Sequence, residues 1–166
     1  MNARKSLRLR SFDYSQRGVY YVSIGTHQGL PLLGHTVGNR IVLSALGHLV
    51  NHLWRDLPRH AAGLRLDAFL VLPSHVHGIL VLTQPPVSPQ REAFGQPTRN
   101  SLPTIVRGFK AAVTREWRRQ SGVENSPVWQ SRYVERVVRS RQELSSMRCF
   151  VRDNLLWHRL SDRDPW

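Results

Sequence analysis

Cysteine is almost absent from this chain. Cys149 stands alone among 166 residues, which excludes an intramolecular disulfide and any cysteine cluster for zinc. A reducing, cytoplasmic setting is the expectation that follows. Long apolar runs are also missing. None reaches the ~18 residues of a membrane span, and the charged start Met1-Asn2-Ala3-Arg4-Lys5 is not followed by the apolar stretch of a secretory signal. Acidic residues are scarce, 11 Asp+Glu against 24 Lys+Arg, for a formal net charge of +13. Nearly all of the basic residues are arginine. Guanidinium binds phosphate bidentately and stacks on bases, so the imbalance favours a polyanion, nucleic acid first. An Arg-rich genome would leave the same composition in a protein with no such partner.

What is present is enough for a core. Apolar residues make up 40% of the chain, and the length fits one domain over residues 1–166. Residues 1–18 form a basic arm with Arg4, Lys5, Arg8, Arg10 and Arg17. Val19 to Thr26 is aromatic and β-branched and reads as a first strand. Leu32 to Val37 and Arg40 to Leu43 flank Gly38-Asn39, a short hairpin turn. Ser44 is placed to cap a helix in which Leu46, Leu49, Val50, Leu53 and Leu57 recur at helical spacing as far as Pro58. Leu64 to Leu72 and Gly78 to Leu82 read as a strand pair. Four prolines fall within residues 84–101, which are expected to form a flexible loop rather than a domain boundary. A helix over about Leu102 to Arg119 follows, with Ile105, Val106, Phe109, Val113 and Trp117 inward and Arg107, Lys110, Arg115, Arg118 and Arg119 on its other faces. Tyr133 to Val138 is a short strand. Gln142 to Leu156 is a last helix with Leu144, Met147, Val151 and Leu155 inward. The order β-ββ-α-ββ-α-β-α predicts an antiparallel sheet with helices packed on it, an α+β layer fold.

The chemistry-bearing feature is His75-Val76-His77-Gly78 within an otherwise apolar stretch from Leu66 to Leu82. Alternate residues of a strand share a face, with about 6.5–7 Å between their Cα atoms. Both imidazoles can therefore address one divalent ion while Val76 turns into the core. Two ligands leave coordination positions open for water and a phosphate oxygen. An isolated i, i+2 histidine pair is equally compatible with two satisfied or surface histidines. His48 and His52 stand four apart but flank an apolar helical stripe, so they read as partly exposed helix residues.

The motifs converge on a family. Beyond His75-Val76-His77, the segments Ser11-Phe12-Asp13-Tyr14-Ser15 and Gly18-Val19-Tyr20-Tyr21-Val22 carry the likeness. So do Ser101-Leu102-Pro103-Thr104-Ile105-Val106-Arg107-Gly108-Phe109-Lys110 and Val128-Trp129-Gln130-Ser131-Arg132-Tyr133, followed by Glu143-Leu144 and Arg152-Asp153-Asn154. Together they resemble the REP-associated tyrosine transposases, a branch of the single-tyrosine HUH transposases. The resemblance spans nearly the whole chain. It implies a ferredoxin-like (RRM-like) antiparallel sheet with helices mainly on one face. It also implies a metal-dependent endonuclease and strand transferase acting on single-stranded, hairpin-forming DNA, in which a helical Tyr attacks the phosphodiester and leaves a 5′-phosphotyrosine and a free 3′-OH. Mg²⁺ or Mn²⁺ is the implied cofactor, held by His75, His77 and a polar residue four positions after the Tyr, here Asn154. Relatives work as monomers or as homodimers. A bacterial, nucleoid-associated protein with no membrane contact is the expectation.

The likeness breaks at one point. Where the family has its nucleophilic Tyr, this chain has Phe150, and a phenyl ring has no oxygen to attack with. A natural cleavage-deficient relative, a deliberate replacement, and a substitute nucleophile such as Tyr133 are the three open explanations. Candidate DNA contacts are Arg4, Lys5, Arg8 and Arg10 in the arm, Arg107 and Lys110 on the middle helix, and Arg132, Arg136 and Arg139 near the last strand. The competing reading is a non-catalytic hairpin-binding protein that keeps the transposase fold. A third, an RNA-binding domain of similar layers, rests on Tyr20 and Tyr21 alternating along the first strand, so that one of them can face the sheet surface.

Overall fold

The computed structural model describes residues 16–38, 40–84, 100–124 and 126–161, with residues 154–161 as backbone only. The arm cations Arg4, Lys5, Arg8 and Arg10, nearly all of the 84–101 segment, and the Asn154 side chain lie outside the described residues.

Period-two alternation builds the central strands. In β1 (Gly18–Gly25), Tyr20, Val22 and Ile24 are wholly buried on one face, while Tyr21 and Ser23 belong to the other. A hairpin of β2 (Gly34–Val37) and β3 (Arg40–Leu43) follows. Its two-residue connection pairs Val37 with Arg40, and Gly38 supplies the positive φ of 54° that such a turn demands. α1 (Ala45–His60) starts at Ser44, whose Oγ accepts from Gly47 N. The helix runs two residues past Pro58, the expected stop. The proline falls in the last turn, where one lost backbone hydrogen bond is tolerated. β4 (Leu64–Val71) and β5 (His75–Leu82) form an antiparallel pair around Leu72-Pro73-Ser74. α2 (Leu102–Ser121), β6 (Val134–Val138) and α3 (Arg141–Ser161) complete the chain.

The sheet order is β4-β5-β1-β6, with every neighbouring pair antiparallel. With the β2–β3 hairpin set aside, this is a βαββαβ arrangement of ferredoxin-like type. α1 and α2 cover one face. Trp54, Phe109, Val76 and Leu80 pack there with Tyr20 and Ile24. α3 covers the opposite face, where Val151 and Leu144 meet Tyr21, Ile79 and Val138. The helices are thus split two and one across the sheet.

Gly78 belongs to the first of these faces. A Cβ at that position would lie 2.2 Å from Trp54 Cζ2, so the indole ring sits directly on the glycine backbone. The glycine that follows the histidines is therefore fixed by packing on the side of the sheet away from them.

Candidate metal and nucleic-acid site

The face under α3 carries the histidines. Antiparallel pairing sets His75 opposite Gly25 and His77 opposite Ser23. Between them, Val76 is wholly buried in the α1–α2 core. The two imidazoles stand nearly parallel, with centroids 5.9 Å apart and ring planes 14° from one another. Each is fixed through Nδ1. Ser74 Oγ lies 2.8 Å from His75 Nδ1, and Tyr21 Oη lies 2.6 Å from His77 Nδ1. Tyr21 is a diagonal neighbour of His77 across the β1–β5 ladder, and its ring stacks on the imidazole at 5.9 Å and 15°. Tyr21, His77 and His75 thus form a ladder of three nearly parallel rings. Burial pushes the Tyr21 phenol up to about 12, a shift that Ser23 opposes through a side-chain hydrogen bond.

α3 brings Phe150 onto this ladder. Its ring meets His77 and Tyr21 edge-on, each at 5.9 Å between centroids. It is nevertheless 40% exposed, unusual for a large apolar side chain at a packed helix–sheet contact. The backbone of residue 154 lies one turn further along the same helix. Among the described residues, no three His, Cys, Asp or Glu side chains gather into a metal-binding group. The imidazole pair supplies two nitrogen donors, a fit for a divalent ion that keeps positions open.

Several contacts that sequence reasoning did not single out hold α3 in place. β4 carries a bulge between Leu66 and Phe69, so that Asp67 and Ala68 stand opposite Ile79 together. Ala68 packs into the α3-side cluster, and Asp67 receives two bonds from Arg148, from Nε at 2.9 Å and from a terminal nitrogen at 2.6 Å. The Arg148 guanidinium holds the Asp67 carboxyl below its usual range. At the start of α3, Ser140 Oγ accepts from Glu143 N, and Glu143 accepts from Arg139 N and from Arg136 Nε. This is close to a capping box, with an added tie to β6.

The remaining sequence candidates fall elsewhere. Arg136 shares the α3 face with Tyr21, its partner in register, and serves as the strut to Glu143. Arg132 and Arg139 are exposed on either side of β6. Tyr133 packs against the α1–α2 core, on the side of the sheet away from the histidines, and is not brought to them. Arg107 is exposed on α2. Lys110 Nζ donates to the carbonyls of Gln130 and Ser131, and burial lowers its pKa. Trp129 is a core residue against Phe109.

No family model matches the chain. A protein of Haemophilus influenzae, described only as uncharacterized, is 29% identical over 163 residues and is aligned across 93% of this chain and 89% of its own length. Among solved structures, a REP-associated tyrosine transposase bound to a REP hairpin superposes with a TM-score of 0.62 at 17% identity, covering 91% of this chain and 73% of that one. A candidate transposase from Deinococcus radiodurans gives a TM-score of 0.50 at 17% identity, covering 88% and 95%. The chain has the fold of these transposases, and the resemblance read from its motifs is met in three dimensions.

Proposed function

We propose that this chain is a DNA-processing protein of transposase type. It binds single-stranded, hairpin-forming DNA over the α3 face and holds Mg²⁺ or Mn²⁺ at His75 and His77 with Asn154. At position 150 it lacks the hydroxyl that tyrosyl transfer needs. The observation that carries the reading is the fixed imidazole pair: two nearly parallel rings, each anchored through Nδ1, with the exposed Phe150 ring edge-on against His77. Anchoring one ring nitrogen is how a protein orients the other toward an ion. The hairpin bound to the transposase of like fold supports hairpin DNA as the ligand, and the net charge of +13 supports a polyanion.

The bound cation would polarise a non-bridging phosphate oxygen. The chain's own residues supply orientation. Tyr21 and Ser74 hold the imidazoles, and the Asp67–Arg148 pair holds α3 above them. Covalent cleavage would need a phenol oxygen to bond to phosphorus while the 3′-oxygen leaves with the electron pair. Phe150 offers no such atom. Tyr21 lies against His77, but its hydroxyl is buried and hydrogen-bonded to that imidazole, and burial raises its pKa. Binding without covalent turnover is the expected behaviour.

Fluorescence anisotropy with a labelled DNA hairpin, in Mn²⁺ and in EDTA, tests this. Mn²⁺ should tighten binding by the unmodified chain and leave the His75→Ala/His77→Ala variant unchanged. The same Mn²⁺ response in both proteins would overturn the assignment of the ion to these histidines.

A further inference from the structure

A second charged feature lies away from the histidines. α2 and residues 127–131 enclose an open groove of about 980 Å³. Its cations are Arg107, Lys110, Arg115, Arg118 and Arg119, the last of them paired with Glu116, and the one carboxylate lining it is Glu124. Four of the five are exposed arginines. Arg107, Arg115 and Arg118 occupy the side of α2 opposite Ile105, Val106, Phe109 and Val113, which enter the core. From Arg107 to Arg118 the helix rises about 16 Å, the axial span of four to five phosphates along one strand of a duplex at about 3.4 Å each.

Two features set this groove apart from an ordinary solvated helix face. It is concave, because a separate segment forms its second wall, and Lys110 clamps that wall by donating to the carbonyls of Gln130 and Ser131. The wall also leads somewhere. Gln130 N donates to Gly25 O at 3.0 Å, Trp129 bridges to Thr26, and Gly25 is the register partner of His75. One end of the groove therefore adjoins the edge of the sheet at which His75 begins β5.

We infer that this groove is a second nucleic-acid contact, a track for a phosphodiester backbone that approaches the histidine site from the His75 end of the sheet. Guanidinium groups in a row along a cleft match a row of phosphates, each able to take two parallel hydrogen bonds. The inference rests on the nucleic-acid reading above and is independent of whether the histidines hold a metal. The backbone belongs either to a hairpin stem or to the single strand flanking it.

The test uses the full chain, a labelled hairpin with a single-stranded flank, the hairpin alone, and the flank alone, each titrated across a salt series. Arg115→Glu/Arg118→Glu is compared with Arg40→Glu/Arg59→Glu, which makes the same charge change at exposed positions on β3 and α1, outside both the groove and the α3 face. The groove variant should bind at least about tenfold more weakly than the remote variant, and its log–log salt slope should fall by about 1.5–2. A loss confined to the hairpin puts the stem in the groove; a loss confined to the flank puts the single strand there. Equal binding and equal slopes for the two variants overturn the inference. Failure of the unmodified chain to bind any of the three probes overturns the nucleic-acid reading beneath it. Arg115→Gln/Arg118→Gln, which removes charge without reversing it, gives the same comparison if the glutamate variant does not fold.

Discussion

His77 is the more constrained of the two histidines. It is 9% exposed, with Tyr21 on one side, His75 on the other and Phe150 at its edge. The Tyr21 hydroxyl holds its Nδ1. Tyr21→Phe keeps the ring and removes that oxygen. It should weaken Mn²⁺ binding by about 10–100-fold, the usual effect of losing a group that orients a ligand, with the thermal midpoint little changed. Calorimetric titration of Mn²⁺ into both proteins checks this, and equal affinities would deny Tyr21 a positioning role. The sequence offered part of this arrangement. The i, i+2 spacing and the burial of Val76 follow from strand periodicity alone, and Tyr20 and Tyr21 had to face opposite ways. Which tyrosine would meet the histidines depends on β1 pairing with β5 so that Ser23 falls opposite His77. That register is a tertiary fact with no local signal.

At the scale of elements, the site depends on how α3 is seated. Its apolar positions were legible from helical spacing, and Leu144, Met147 and Val151 do pack inward. Its polar anchorage was not. Asp67 sits in a stretch that alternates like any strand, and only the bulge turns it to α3 beside Ala68. The Asp67 carboxyl is held below its ordinary pKa chiefly by its hydrogen bonds to Arg148. Its contribution to stability is therefore complete above the unfolded-state value near 4 and is lost as pH falls through the lower folded-state value. Asp67→Asn should lower the melting midpoint at pH 7. The gap from the unmodified protein should begin to close as the pH drops below about 4 and vanish below the lower folded-state value, where the native carboxylate is protonated too. Melting curves across that range measure it; a gap that stays constant with pH would mean the charge at Asp67 contributes nothing to holding α3. The end of α1 departs from the sequence expectation more simply: a proline in the last turn sacrifices too little to stop the helix at once.

For the whole molecule, the element order could be read from hydrophobic periods and turn residues, because each strand and helix is long enough to show its own. The placement of elements could not. The resemblance implied a ferredoxin-like sheet with helices mainly on one face; that β1 lies between β5 and β6, and that α3 lies alone on its face, are facts of the tertiary structure. Of the basic residues that dominate the composition, five line one groove, and that groove adjoins the histidine face at the His75 end of the sheet. The central claim is that the site is of transposase type and short of one oxygen atom, at Phe150. The most direct measurement is strand cleavage of a single-stranded hairpin DNA with Mn²⁺ by this chain and by Phe150→Tyr, resolved on a denaturing gel. The expected result is no cleavage by the unmodified chain, and nicking with a covalent protein–DNA adduct for Phe150→Tyr that EDTA abolishes. Nicking by the unmodified chain, or no adduct from a Phe150→Tyr protein that folds and binds the hairpin, would contradict the account.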